Sequence, residues 1–195
     1  MNPSLRILLA GTAVMLLAPI ASSPAPSPVK APPLETLTNL KVGQWIQLEG
    51  TPEKDGSILC TEVKLLTGDF LDDDWHLRGL VRSIDAKKHE FTIAKYPVRL
   101  KDEVEYEDAS DKFRSFSDLR VGMLVKIEGT YMKDGSFLCK GIDDESEKVK
   151  KRPGIEKKIQ IVGRIERVNP SRSSVTAMGT TFRVSDNTKL KSVIR

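Results

Sequence analysis

Few residues of this chain have the chemistry of a catalyst. Histidine occurs at only two positions, His76 and His89. A nucleophilic serine needs a neighbouring general base, and no serine lies in a Gly-x-Ser-x-Gly context with partners that the sequence identifies. The sequence therefore predicts a protein that is not an enzyme and that uses no cofactor.

The densest group of possible metal ligands is acidic. The stretch GDFLDDDWH, residues 68–76, contains Asp69, Asp72, Asp73 and Asp74 together with His76. It lacks the glycine at the sixth position and the distal glutamate of a calcium loop, and no clustered cysteines and histidines suit zinc. We expect a solvated acidic connection and no bound metal, with a cation site as the alternative.

Basic residues concentrate towards the C-terminal end. Residues 148–195 contain thirteen lysines and arginines against Glu156, Glu166 and Asp186, a charge of +10, so the remainder carries −6 within the net +4. A surface of this sign attracts polyanions. The candidate binding residues are Arg164, Arg167, Arg172, Arg183, Lys189 and Lys191. The alternative is that these lysines and arginines only form the solvent-exposed face of each strand and bind no partner.

Aromatic residues are too scarce to favour nucleic acid as the partner. β-Barrels that bind single-stranded nucleic acid stack its bases on aromatic side chains, and residues 116–195 offer few beyond Tyr131, Phe137 and Phe182. Trp45 and Trp75 are expected to pack in a core or at a barrel end, with a pocket lining as the alternative. Envelope phosphates, acidic glycans or an acidic protein surface are better candidates for an anionic partner.

The elements that position these residues are repeated along the chain. EGTPEKDGSILC at 49–60 returns as EGTYMKDGSFLC at 128–139, at an offset of 79. A second phrase, at 78–100, matches 162–184 at an offset of 84. The order of matching segments is A, B, A, B, which predicts two tandem copies over 36–115 and 116–195.

Each A segment is predicted to form a β-hairpin. Asp55-Gly56 separates two stretches of alternating apolar residues, and Asp-Gly is a strong signal for a tight hairpin turn. The same register buries equivalent pairs in both copies: Leu48 with Val63, Ile46 with Leu65, and Ile127 with Ile142. It also places Cys60 opposite Thr51 and Cys139 opposite Thr130.

The strand pattern predicts an all-β fold. Each copy has about five short strands and no convincing helix, and curling into a small barrel removes exposed strand edges. We therefore expect two tandem OB-like five-stranded β-barrels, each formed within one copy. Because domains of this size bury little apolar surface, the copies are expected to pack on each other.

The first residues have the pattern of an export signal. Arg6 precedes an apolar run that ends in small residues, which predicts a signal peptide over 1–23, with an uncleaved anchor as the alternative. Residues 24–35 are proline-rich and should form an extended spacer. The chain is therefore expected in the periplasm or outside a bacterium, with no stable membrane span after removal of the signal.

The two cysteines occupy equivalent positions of the repeat. An oxidising compartment favours disulfides, but Cys60 and Cys139 are predicted to belong to different barrels. A bridge would require them to meet at a contact between the copies. Buried separate thiols are the preferred interpretation, and an inter-copy disulfide and surface reactivity are the alternatives.

Two phrases resemble a known family. FSDLRVGMLVKIEGTYMKDGSFLCKGI and GLVRSIDAKKHEFTI resemble repeats of exported bacterial proteins of unknown function that are regarded as OB-like β-structure, and the resemblance covers nearly all of 37–195. It supplies no catalytic residue, and Cys60 and Cys139 stand where the family usually has a small residue. The predicted function is a non-enzymatic envelope module that binds an unknown protein or anionic polymer, with a polyanion-binding role for the second copy as the alternative.

Overall fold

The structure, a computed structural model, describes residues 37, 39–67, 74–109 and 112–194. The predicted signal peptide and the proline-rich spacer lie outside these residues. Among the helices that are described, none is long and apolar enough to cross a membrane.

The described chain is built mainly of β-strands, so the all-β prediction is confirmed. Its eleven strands are β1 (Trp45–Pro52), β2 (Ile58–Thr67), β3 (Trp75–Asp85), β4 (Glu90–Ile93), β5 (Tyr96–Asp108), β6 (Leu124–Tyr131), β7 (Phe137–Asp144), β8 (Ile159–Asn169), β9 (Ser174–Ala177), β10 (Thr180–Arg183) and β11 (Lys189–Ile194).

A short helix between β7 and β8 departs from the predicted absence of helices. Helix α1 (Ser146–Lys151) lies in the connection between β7 and β8. Its Glu147 carboxylate accepts from Lys150 Nζ at 2.8 Å, the spacing at which side chains meet on a helix. The described connections also contain 3-10 turns at Phe116–Asp118, Ile155–Lys157 and Pro170–Arg172.

Both predicted hairpins form, and the predicted apolar pairs face each other. Ile46 lies opposite Leu65, and Leu48 lies opposite Val63. In the second hairpin Ile127 lies opposite Ile142. The predicted register is therefore right in the part of each hairpin that lies away from the turn, beyond Glu49 and Glu128.

The predicted partners of the cysteines are wrong because each hairpin contains a bulge. The register shifts between Glu49 and Gly50, so Cys60 lies opposite Gly50 rather than Thr51. The same shift places Cys139 opposite Gly129 rather than Thr130. A bulge adds one residue to one strand of the pair, and a pattern of alternating apolar residues does not reveal it.

Both cysteines are free and buried, so the preferred interpretation of two separate thiols is confirmed. Cys60 is 2% exposed and Cys139 is 0% exposed. Each thiol donates to the carbonyl oxygen two residues ahead, of Glu62 and of Gly141. Burial raises the pKa of each thiol to about 12.

Strands β3 to β7 pair in a ring, which we call the central ring. The pairing runs from β3 to β4, from β4 to β5, from β5 to β7 and from β7 to β6, and β6 pairs with β3. All these ladders are antiparallel except that of β5 with β7. This ring combines the B segment of the first copy with the A segment of the second.

The remaining strands form an equivalent ring, which we call the split ring. The pairing runs from β8 to β9, β10, β2 and β1, and β1 pairs with β8. β11 continues beyond β10 and pairs in parallel with β2. The prediction that each barrel forms within one copy is therefore wrong, because the A segment of the first copy completes its ring with the B segment of the second.

The error has a physical origin in the connection between β5 and β6. That connection places Phe113 and Leu119 in the core, where they are 4% and 2% exposed. The predicted boundary between the copies, at residues 115 and 116, therefore lies in a connection that is packed against the core. The A, B, A, B order is equally compatible with either division, because a tandem repeat does not itself define where a unit begins.

The two rings join at an antiparallel pairing of β3 with β8. Leu77 lies opposite Ile161, its own equivalent at the offset of 84. His76 pairs with Val162 and Arg78 pairs with Gln160, and these two pairs exchange under the same offset. The junction therefore has approximate two-fold symmetry in its register.

Candidate binding surfaces

The outer face of β8, β9 and β10 in the split ring carries polar and basic side chains. Arg167 lies opposite Thr176, which lies opposite Thr181. The Thr176 and Thr181 hydroxyls are 3.3 Å apart, so both point outward, whereas Phe182 between Thr181 and Arg183 is buried. This face therefore presents Arg167 and Arg183 on one side of the sheet.

The structure does not gather the six predicted binding residues into one site. Arg183 pairs with Glu53 of the β1–β2 turn, and Arg172 lies in the 3-10 turn that leads to β9. Arg164 lies over the Trp45 indole, with its guanidinium carbon 5.3 Å from the aromatic centroid.

The last two predicted residues lie on a separate strand. Lys189 and Lys191 belong to β11, and Lys191 Nζ is 2.7 Å from a Glu62 carboxylate oxygen. The basic residues thus divide among the face of β8–β10, the junction of the rings and β11.

The equivalent strand of the central ring carries the opposite charge. The offset of 84 relates Lys189 to Glu105 and Lys191 to Glu107. Glu105 and Glu107 are exposed on the part of β5 that pairs in parallel with β7. Equivalent outer positions of the two rings are therefore basic in one ring and acidic in the other.

A concavity of about 850 Å3 lies beside this acidic strand. Its lining includes His89 and Phe116, whose aromatic centroids are 5.3 Å apart, and also Leu100, Lys101 and Tyr106. Sequence reasoning missed this feature, because the lining residues come from the β3–β4 turn, β5 and the β5–β6 connection. The sequence contained one partial signal of the concavity: Phe116 is apolar, as is Leu37, its equivalent at the offset of 79.

Aromatic side chains pack along the junction of the rings. The centroid of Trp75 lies 5.3 Å from that of Trp45 and 5.8 Å from that of Tyr131. Gly163 leaves the space that the Trp75 indole occupies, because a Cβ there would overlap its six-membered ring. Trp45 and Trp75 therefore pack at the junction of the rings, in line with the expectation that they pack rather than line a pocket. Neither tryptophan lines the concavity.

A buried ion cluster also joins the rings. Arg78 of the central ring donates to the carboxylate of Glu49, which belongs to the split ring. Lys158 Nζ donates to the other Glu49 oxygen at 2.9 Å, and Arg78 lies 3.8 Å from Glu145. Glu49, Arg78 and Glu145 are at most 6% exposed.

Protonation of Glu49 is governed by this cluster. Burial alone would raise the pKa of Glu49, but hydrogen bonds from Lys158 and Arg78 outweigh burial and hold that pKa below its ordinary value. Glu49 therefore stays charged through the neutral range. Buried charges are retained where partners and hydrogen bonds compensate for lost water.

The predicted acidic connection is only partly described. Asp69, Asp72 and Asp73 lie outside the described residues, whereas Asp74 accepts from Lys140 Nζ at 2.6 Å. Within the described ranges, no group of three or more histidine, cysteine or acidic residues could hold a metal ion. The Asp74–Lys140 pair ties the start of β3 to the bulge of the second hairpin.

The fold and the surfaces define an all-β protein made of two equivalent strand rings. The model of a domain of unknown function, DUF5666, matches residues 30–64, 78–143 and 162–194. These segments span more than half of the chain, which therefore belongs to that family. The middle segment covers most of the central ring, and the outer two lie on the split ring. No curated protein and no solved structure matches the chain.

Proposed function

We propose that this chain is an exported, non-enzymatic binding module of the bacterial cell envelope. The observation that carries the proposal is the reversal of charge between Glu105 and Glu107 of β5 and Lys189 and Lys191 of β11. The positions that repeat are core aliphatics, turn glycines and buried thiols, which build the fold. Two rings with the same fold and opposite charges at equivalent exposed positions suit a protein that presents two different binding surfaces.

We also propose that each ring is a small OB-like barrel. Barrels of this class bind oligosaccharides and oligonucleotides on the face of the second and third strands and on adjoining loops. In the central ring these strands are β4 and β5, beside the 850 Å3 concavity. In the split ring they are β9 and β10, which carry Thr176, Thr181 and Arg183.

Export is supported by the signal pattern of 1–23 and the proline-rich spacer of 24–35. The proposed partner is an envelope protein or an anionic envelope polymer. Nucleic acid is not the expected partner, because export removes the chain from most of it.

A pull-down from envelope extract with the mature protein tests the main proposal. We expect one envelope component to be retained at both low and high salt, because salt screens contacts between exposed charges but not apolar contacts in the concavity. Loss of all retained material at high salt would instead favour the polyanion alternative. Turnover of an envelope substrate by the purified chain would contradict a non-enzymatic role.

The polyanion alternative has one observation in its favour. Arg167 and Arg172 make no ion pair within the described part of the chain, so both can neutralise an anionic partner. The R167E/R172E variant should lose affinity for polyphosphate and reduce the slope of its salt dependence, by about one for each phosphate contact removed. Arg164 is a poorer probe, because it packs on Trp45.

The matched control is K87E/K88E, since Lys88 is equivalent to Arg172 at the offset of 84. This variant should bind polyphosphate as the wild type does. Equal losses in both variants would show that attraction is general and not located on the split ring.

A further inference from the structure

Two strands of the molecule have an open edge. β11 pairs with β2 along one side, and residues 105–108 of β5 pair with β7 along one side. No other strand of the described chain pairs with these segments. An open edge offers backbone donors and acceptors to a further strand.

The two open edges have complementary side chains. On β5 the exposed Glu103, Glu105 and Glu107 alternate with the half-buried Val104 and Tyr106. On β11 the exposed Lys189 and Lys191 flank Leu190, a large apolar residue that is 47% exposed. Both strands therefore alternate charged and apolar residues, with opposite signs of charge.

Space for a further strand exists beside β5. β4 pairs with β5 only as far as Glu90 opposite Arg99, so β5 continues beyond the end of its neighbour. The 850 Å3 concavity lies at this point and is lined by Val104, Tyr106 and Phe116 among others. A strand placed there would continue the sheet from β5 and bury an apolar side chain against these residues.

We propose that β11 of one copy adds to the open edge of β5 in a second copy. Lysines of β11 would then face the glutamates of β5, and Leu190 would pack beside Val104 and Tyr106. Opposite charges on facing strand positions stabilise a pair, and like charges destabilise it. The charges therefore disfavour the pairing of two β11 strands or of two β5 strands from different copies. They favour the pairing of β11 of one copy with β5 of another, which we call the mixed pairing.

The mixed pairing has a consequence for assembly. Each chain carries one β11 and one β5 edge, so each contact leaves one edge of either kind open. A head-to-tail contact of this type builds a ring if its rotation closes and a linear chain if it does not. The assembly should weaken as salt rises, because salt screens exposed charges.

Sedimentation of the mature chain at low and high salt tests this proposal. We expect the wild type to form oligomers at low salt that dissociate at high salt. The K189E/K191E variant and the E105K/E107K variant should each stay monomeric, since each has like charges on its two edges. An equimolar mixture of the two variants should assemble again, because each supplies the edge that the other needs.

The K150E/K151E variant is the control, because it makes the same change of charge on helix α1, which belongs to neither open edge. It should assemble as the wild type does, and K189Q alone should weaken assembly while it leaves the Lys191–Glu62 ion pair in place. Circular dichroism checks that each variant is folded. A wild type that is monomeric at low salt, or a mixture that fails to assemble from folded variants, would overturn the proposal.

Discussion

Replacing Arg78 by methionine should lower the free energy of unfolding by about 3–5 kcal/mol, the usual cost of breaking a buried ion pair. Methionine fills similar space but leaves Glu49 and Glu145 buried with one cationic partner each, Lys158 and Lys148. Urea denaturation of the mature protein measures the loss. A double-mutant cycle with E49Q isolates the coupling between Arg78 and Glu49.

The control is Arg99→Met, the same change at an exposed ion pair. Arg99 lies 3.5 Å from Glu90 and 3.4 Å from Asp134, and its side chain is 55% exposed. Exposed pairs contribute only about 0–1 kcal/mol, so this variant should stay close to the wild type. Equal small losses from both variants would mean that the buried cluster does not hold the two rings together.

Replacing Gly129 by alanine should be the most damaging glycine substitution of the second hairpin. Gly129 has φ of +155°, and a Cβ there would overlap the Leu138 carbonyl oxygen across the bulge. The backbone must shift to accept it, and overpacking costs about 1–3 kcal/mol in addition to the strain of the unusual φ. We expect a loss of about 3 kcal/mol in urea denaturation.

Gly122→Ala provides the comparison. Gly122 has φ of +90°, but no atom lies within 4 Å of its added Cβ. Only the left-handed conformation is then penalised, at about 1–2 kcal/mol. If Gly122→Ala proved as damaging as Gly129→Ala, the close approach at the bulge would not be what requires glycine.

The strands and much of the register could be predicted from the sequence. Alternating apolar residues on either side of Asp-Gly identify a hairpin, because the side-chain period of a strand is two and the turn needs positive φ. Leu48 faces Val63 as predicted, because the bulge offsets a loop that is one residue longer than a two-residue Asp-Gly turn. The burial of Cys60 and Cys139 also followed, since a small thiol in a repeated strand position belongs to the core.

The partners of the hairpins could not be predicted in the same way. Local pattern shows that β1 pairs with β2, but the choice of β8 rather than β3 as the next neighbour is a long-range property. β3 and β8 are equivalent strands of the repeat, so either one could pair with β1 through similar side chains. The bulges beside Gly50 and Gly129 were missed because one extra residue changes the register without changing composition.

The candidate surfaces were only partly foreseen. Charge counting along 148–195 found the basic residues but not their distribution, which depends on how β8, β10 and β11 are placed in the ring. The acidic residues 102–108 of β5 could not be recognised as a surface from the sequence, because their role depends on the equivalence of this segment to β11 and on the open edge beside it. The concavity depends on where β4 ends, which the sequence does not show.

The exchange of hairpins between the two copies is most directly tested by the backbone NOEs of β1 in the isotopically labelled mature protein. The structure predicts NOEs between β1 and β8, with Gln47 facing Val162. Pairing within each copy would place Gln47 opposite Arg78 instead, at the position equivalent by the offset of 84. NOEs from β1 to β8 are the expected result, and NOEs from β1 to β3 in that register would contradict the account.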